Sequence, residues 1–191
     1  VDRQVDVLKE DVDVSLRYRD VLEPGMAVRH LVAVPRRLYA APAYLQAHGV
    51  PRTAEDLLQH RCLLYRREVD GRLMRWPFSS GGQRADPPLH IAAIANDIDV
   101  LVAMAEAGAG ITWAGFFLVH EQVRQGRLVH IPMPEARPGD PGLQFEEEPL
   151  DFFACFRDRQ YVPAKVRALV DYLLEALPGL PQLQLPPAPD Q

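Results

Sequence analysis

The side chains of this chain that could do chemistry are scattered rather than clustered. The six histidines (His30, His48, His60, His90, His120 and His130) show no metal-ligand spacing. Cys62 and Cys155 stand far apart, each beside apolar residues. That reads as two buried thiols in a reducing compartment, with a two-cysteine redox switch as the second reading. The acidic run Glu146-Glu147-Glu148 could attract a cation, but nothing else in the sequence gathers around it, so a solvated loop is expected. There is no G-x-S-x-G elbow, no Walker-type glycine loop and no dinucleotide fingerprint, because Gly108-Ala109-Gly110 ends a helical pattern instead of opening one. Ser79-Ser80-Gly81-Gly82 has no helical pattern behind it and is expected to be a loop. The sequence therefore predicts no catalytic group, no metal and no cofactor.

What remains is polar residues where strands end and helices begin. In "NDIDVLVAMAEAGAGI", residues 96–111, Asn96 or Asp97 can cap a helix. Val100, Leu101, Met104 and Ala105 repeat on one face of it, and Gly108 stands where a left-handed C-cap belongs. The start of such a helix offers unpaired N–H groups and partial positive charge, which suit an anion or a polar small molecule. An ordinary capped helix is the plainer alternative. Val12–Leu16 reads as a strand running into the arginine-rich stretch Arg17-Tyr18-Arg19. An arginine there could hold a carboxylate bidentately, or pair with a neighbour such as Asp20 or Glu23. Arg17, Tyr18, Asn96 and Asp97 are the candidate ligand-binding residues.

The elements that must position them alternate along the chain. Residues 2–10 read as the end of an amphipathic helix. Strands are expected at Leu31–Val34, Leu38–Ala40, Leu63–Tyr65, Arg75–Phe78, Leu89–Ile94, 111–113, Arg127–Met133 and Leu150–Phe156. Helices are expected at Pro42–His48, from Thr53 to His60, at Phe116–Arg124, and after Pro163, where Val166, Leu169, Val170, Leu173, Leu174 and Leu177 share a face. Residues 134–149, rich in Pro, Gly and Glu, read as a mobile loop, and the proline-rich tail from Pro178 as disordered. Strands alternating with helices predict an α/β fold with largely parallel sheets.

Composition sets the outer bounds. At 191 residues, 48% hydrophobic and 25% charged, the chain can bury one sizeable core or two small lobes. A net charge of −5 argues against a nucleic-acid-binding surface on these residues. No apolar run reaches membrane-spanning length. A cytoplasmic protein with no membrane association is expected.

One set of motifs is more specific. The stretch "APAYLQAHGVPRTAEDLLQHRCLLY" (41–65) resembles a segment of the LysR-type transcriptional regulators, matching at Pro42, Tyr44, Leu45, His48, Gly49, Pro51, Asp56, Leu57, His60, Cys62 and Leu63. "DVDVSLRYRD" (11–20), "WPF" (76–78), "AGAGI" (107–111), "GRLV" (126–129) and "PAKVRALVDYL" (163–173) follow the same family in the same order. The resemblance implies the family's effector domain, with a two-lobed, periplasmic-binding-protein-like (type 2) α/β fold in which two crossing strands join the lobes. It places an incomplete lobe one at residues 1–36 and 130–177, lobe two at 37–129, and the crossings at Leu31–Val34 and Arg127–Met133. It further implies a small-molecule effector, a carboxylate among the candidates, held in the inter-lobe cleft by Arg17, Tyr18, Asn96 and Asp97. The full-length protein would act as a homo-oligomer and touch promoter DNA only through a helix-turn-helix expected before Val1, together with the first part of lobe one. Trp113-Ala114-Gly115 departs from the family's usual Leu-Pro, and Trp113 is expected in the core more than in a pocket. A solute-binding protein of the same fold, serving transport, is the alternative.

Overall fold

A computed structural model describes residues 12–19, 27–68, 70–156 and 162–184. The expected helix over residues 2–10 lies outside them. The chain runs β1 (Ser15–Tyr18), β2 (Ala27–Val34), β3 (Arg36–Ala40), α1 (Pro42–His48), β4 (Cys62–Tyr65), β5 (Phe78–Ser80) and β6 (Gln83–Ala85). It continues with β7 (Ile91–Ala95), α2 (Ile98–Glu106), β8 (Ile111–Gly115), α3 (Phe116–Arg124) and β9 (Val129–Ile131). Last come β10 (Gln144–Phe145), β11 (Leu150–Phe156) and α4 (Ala164–Ala176).

These elements fall into two units. Unit 1 takes the chain up to Pro35 and from Pro149 onward, and unit 2 takes Arg36–Glu148. The second passage between units therefore falls at Glu148/Pro149, not at Arg127–Met133: β9 pairs with β3 inside unit 2. A short apolar strand carries no mark of which sheet will accept it, and here the neighbouring β3 does.

In unit 1, β11 lies between β1 and β2, antiparallel to both. β1 covers Ser15–Tyr18, a little later than the expected Val12–Leu16, so Arg17 is a strand residue. Leu31 and Ala154 meet Val166 and Val170 of α4 in a small core, the leucine and valine side chains each contributing roughly 1.5–3 kcal/mol on full burial. Leu169 belongs to the predicted apolar stripe yet stays 44% exposed at its rim. After α4 the chain makes two 3₁₀ turns, Leu177–Gly179 and Pro181–Leu183, where disorder was expected from Pro178; residues 185–191 are not described.

Unit 2 is built on a five-stranded sheet in the order β7-β4-β8-β3-β9. Only the pairings of β4 with β7 and with β8 are parallel; β3 is antiparallel to both its neighbours. The predicted, largely parallel sheet is thus half right, since alternation of strands and helices dictates element order but not direction. One face carries Leu38, Leu64, Ile111, Trp113 and Ile131 into a core closed by α1 and by a second sheet, β10-β5-β6. Phe145 is central to it, edge-on to Phe78 at 5.5 Å and to Trp76 and Trp113 at 6.2 Å each. It comes from the segment expected to be a mobile loop, which β10 instead fastens to β5. Ser79 and Ser80 likewise prove to be strand, and Gly81 and Gly82, both at positive φ, make a two-residue turn into β6. Trp113 is in the core as expected.

The other sheet face is covered by α2, through Leu101, Val102 and Ala105, and by α3, through Phe116 and Val119. Val100, placed on the inward face by its spacing, is exposed. Gly108 has φ +81 and closes α2 as anticipated. The helix expected from Thr53 shortens to a 3₁₀ turn, Asp56–Gln59, which follows a bend where Thr53 and Asp56 bond each other's backbone N–H.

A buried polar knot anchors α1. Arg61 N–H donates to the Tyr44 hydroxyl at 3.0 Å, and that hydroxyl lies 3.2 Å from His60 Nδ1. His48 stacks on the Tyr44 ring at 4.3 Å. Burial, reinforced by His48 and partly opposed by Asp56, holds the His60 imidazole below its ordinary value of 6.5. His130 is lowered too, by burial and then by Arg37. A group whose folded pKa is depressed gains protons more readily when unfolded, so this stability is complete above about pH 6.5 and is lost as pH falls below it. Urea midpoints measured from pH 7.5 to 5 are expected to decline, and a His60→Gln/His130→Gln variant to decline less steeply.

Candidate functional site

The parallel trio in unit 2 sets the geometry of a ligand-binding edge. Because β4, β7 and β8 run the same way, Tyr65, Ala95 and Gly115 end at one edge of the sheet. β3 runs oppositely and begins there, Arg36 facing Gly115. Both α2 and α3 start from this edge, one after β7 and one after β8. Open α/β sheets present their ligand sites at such carboxyl ends, where helix starts expose N–H groups.

Asn96 and Asp97 occupy the turn from β7 into α2, and both are exposed. Asp97 is the N-cap: its carboxylate accepts the Asp99 N–H at 2.9 Å. Asp99 adds a second carboxylate to the first turn. The helix start thus supplies its own anions, and favours the neutral or cationic part of a ligand over a carboxylate.

Arginines do gather at this edge, but not those the sequence singled out. Arg36 lies over the Trp113 ring at 3.7 Å, and its Nε donates to the Glu148 carbonyl at 3.0 Å. The Glu148 carboxylate takes an ion pair from Arg84 and a longer one, 3.7 Å, from Arg36. Arg37 pairs with Glu147 at 2.9 Å. Burial raises the Glu147 carboxyl above its ordinary value, with Arg37 pulling it back and Glu135 adding to the rise. The expected solvated loop at 146–148 is therefore two carboxylates engaged by three arginines. Arg36-Arg37 opening an apolar strand, and an acidic triplet just ahead of another, were the signals in the sequence. Only the fold pairs them.

In unit 1, Arg17 is buried, 6% exposed, and its Nε donates to Ser15 Oγ at 3.2 Å. Tyr18 meets Phe152 edge-on at 4.9 Å. Arg19 pairs with Asp151 at 2.9 Å and lies over the Phe153 ring; of its expected acidic neighbours, Asp20 and Glu23 are outside the described residues. His30 Nε2 shares the same carboxylate at 2.9 Å. Burial lifts the Asp151 carboxyl, but the hydrogen bonds from Arg19 and His30 outweigh it and leave the group below its ordinary value.

Both cysteines are free and buried, and burial pushes the Cys62 thiol up to about 12, far from a reactive thiolate. Among the described residues no group of three or more His, Cys, Asp or Glu could hold a metal ion. No described helix is long and apolar enough to cross a membrane.

Several proteins similar to this chain in sequence or fold carry the names of transcriptional regulators. The chain is 29% identical over 181 residues to the probable HTH-type transcriptional regulator LtrA of Klebsiella pneumoniae, covering 94% of this chain and 55% of the relative. It is 28% identical over 174 residues to the HTH-type transcriptional regulator CrgA of Neisseria meningitidis serogroup C, covering 91% and 54%. The chain spans about half the length of these curated relatives. Among solved structures, the CrgA regulatory domain of Neisseria meningitidis shares the fold with a TM-score of 0.66 at 24% identity, covering 90% of this chain and 78% of that one. The regulatory domain of AphB from Vibrio vulnificus aligns with a TM-score of 0.62 at 25% identity and the same coverage. The sequence pattern of the LysR substrate binding domain matches residues 1–178, so the chain belongs to the LysR substrate-binding-domain family, with its periplasmic-binding-protein-like α/β fold.

Proposed function

We propose that this chain is the effector-sensing part of a LysR-type, DNA-binding transcriptional regulator that acts in the cytoplasm as a homo-oligomer. DNA contact would belong to a helix-turn-helix outside these residues, as in relatives named HTH-type regulators. The observation that carries the sensing role is the carboxyl edge of unit 2, where three strand ends, two helix starts and the head of β3 meet. A small molecule held there biases the regulator only by its differential affinity for two conformations. Asn96 and Asp97 would meet its neutral or cationic groups. Arg17, which is buried, and Tyr18 are the residues of unit 1 proposed to contact the effector.

The test uses the regulator at full length. Asn96→Ala combined with Arg17→Ala is expected to abolish effector-dependent change in transcription while near-UV circular dichroism stays native. A Tyr18→Phe variant, which removes one hydroxyl and little packing, serves where the Arg17 change unfolds unit 1, and is expected to weaken the response several-fold. An undiminished response in these variants would overturn the residue assignment.

A further inference from the structure

Among the described residues of unit 2, two hydroxyls are buried and have no hydrogen-bond partner. Tyr39 on β3 and Thr112 on β8 are both 0% exposed, and neither Tyr39 Oη nor Thr112 Oγ1 has a hydrogen bond. The two residues face each other directly in the antiparallel register, so they lie on the same sheet face. Arg37, two residues before Tyr39, shares that face and lies at the carboxyl edge. His130 of β9 is opposite Tyr39 on the other side, with its ring 6.1 Å from the phenol ring. Buried hydroxyls left unbonded cost free energy, so each of the two calls for a partner that the neighbouring residues do not supply.

The carboxylate seated next to this row belongs to the chain. Glu147 is bound to Arg37 at 2.9 Å, and the charges of both reach the Tyr39 phenol, yet Glu147 makes no hydrogen bond to it. The tether explains the shortfall. Glu147 is two residues past Phe145, which is locked in the aromatic core by β10, and two before Pro149. Its carboxylate meets the Arg37 guanidinium at 2.9 Å. A free carboxylate carries no such restriction and could accept from Arg37 and from the Tyr39 hydroxyl together, with Thr112 behind.

We propose that Arg37, Tyr39 and Thr112 form a carboxylate-binding subsite that Glu147 occupies in the ligand-free protein, and that a carboxylate ligand binds by displacing it. This rests on the effector-sensing reading and assigns the acidic end of the effector to Arg37 in place of the helix start at Asp97. Glu147 acts as an internal competitor, so apparent affinity is reduced by the fraction of molecules in which it is seated. The neighbouring Arg36–Glu148–Arg84 cluster is paired within itself and marks the boundary of the subsite.

Acetate is the probe, since it reproduces the end of the glutamate side chain. Its binding is measured by NMR titration of the 191-residue chain, against sodium chloride at equal ionic strength. Glu147→Gln is expected to bind acetate about tenfold more tightly than the unaltered chain, as removal of a competitor requires. Tyr39→Phe in that background is expected to reverse several-fold of the gain, and Arg37→Gln to remove saturable binding. If Glu147→Gln does not fold, Glu147→Asp, which draws the carboxylate back by one methylene, is expected to change affinity in the same direction. Equal affinity in the unaltered chain and the Glu147 variants, or no saturable binding in any of them, overturns the subsite. Failure of the sensing reading itself shows elsewhere, as transcription by the full-length regulator that no small molecule alters.

Discussion

Replacing Gly110 with alanine is expected to destabilise unit 2 by about 3 kcal/mol or more, the scale of a severe steric substitution in a core. A Cβ at this position would lie 2.3 Å from the Arg61 carbonyl oxygen, a backbone atom that cannot swing aside. The same carbonyl accepts the Ile111 N–H at 2.8 Å, the bond that brings β8 alongside β4. Moving Arg61 away to make room would open the parallel pairing Cys62–Ile111 on which the carboxyl edge depends. Urea denaturation followed by tryptophan fluorescence measures the effect, because Trp76 and Trp113 are both in the unit 2 core. Gly108→Ala is the useful comparison. A Cβ there meets nothing within 4 Å, although φ is +81, so only backbone strain of about 1 kcal/mol is expected.

Phe145→Ala should cost a similar amount, about 3–5 kcal/mol, in the range found when a buried aromatic side chain is removed. Phe145 is 3% exposed and touches three aromatic rings edge-on, so its removal leaves a cavity that Trp76, Phe78 and Trp113 cannot all close. Its effect should reach beyond stability. β10 is only two residues long, Gln144 and Phe145, and this side chain fixes the position of Glu147 and Glu148 against Arg37, Arg36 and Arg84. Limited proteolysis is expected to cut the Phe145→Ala variant within residues 134–149 under conditions that leave the parent chain intact there. Cleavage at an unchanged rate would mean that the segment is held by something other than Phe145.

Much of the architecture was legible from residue patterns because local rules set it. α1, α3 and β11 fall where proline at a first turn, apolar spacing and alternation put them. The family motifs over 41–65 carried the fold class. What local patterns left out is pairing between distant segments. β9 looks like a strand that could join either unit, and it joined the sheet that already contained β3. Residues 134–149 have a loop's composition, and Phe145, with Leu143 packed beside it, makes them part of a core. The candidate site shows the same division. Asp97 was recognisable as a helix cap, whereas its consequence, an acidic helix start, appears only with Asp99 placed in the first turn. Arg37 and Glu147 are 110 positions apart and became a pair only through β3 and β10. Tyr39 and Thr112 read as ordinary members of apolar strands, and no sequence rule would show that their hydroxyls lack partners.

The proposed function rests on recognition of a small molecule at the carboxyl edge of unit 2. Native mass spectrometry of the chain against a defined panel of small metabolites, with amines, amides, sugars and mono- and dicarboxylic acids among them, tests it most directly. A one-to-one complex with at least one member is expected, lost in Asn96→Ala and, for a carboxylic acid, strengthened in Glu147→Gln. A panel that leaves the mass of the chain unchanged, or a complex indifferent to both substitutions, would contradict it.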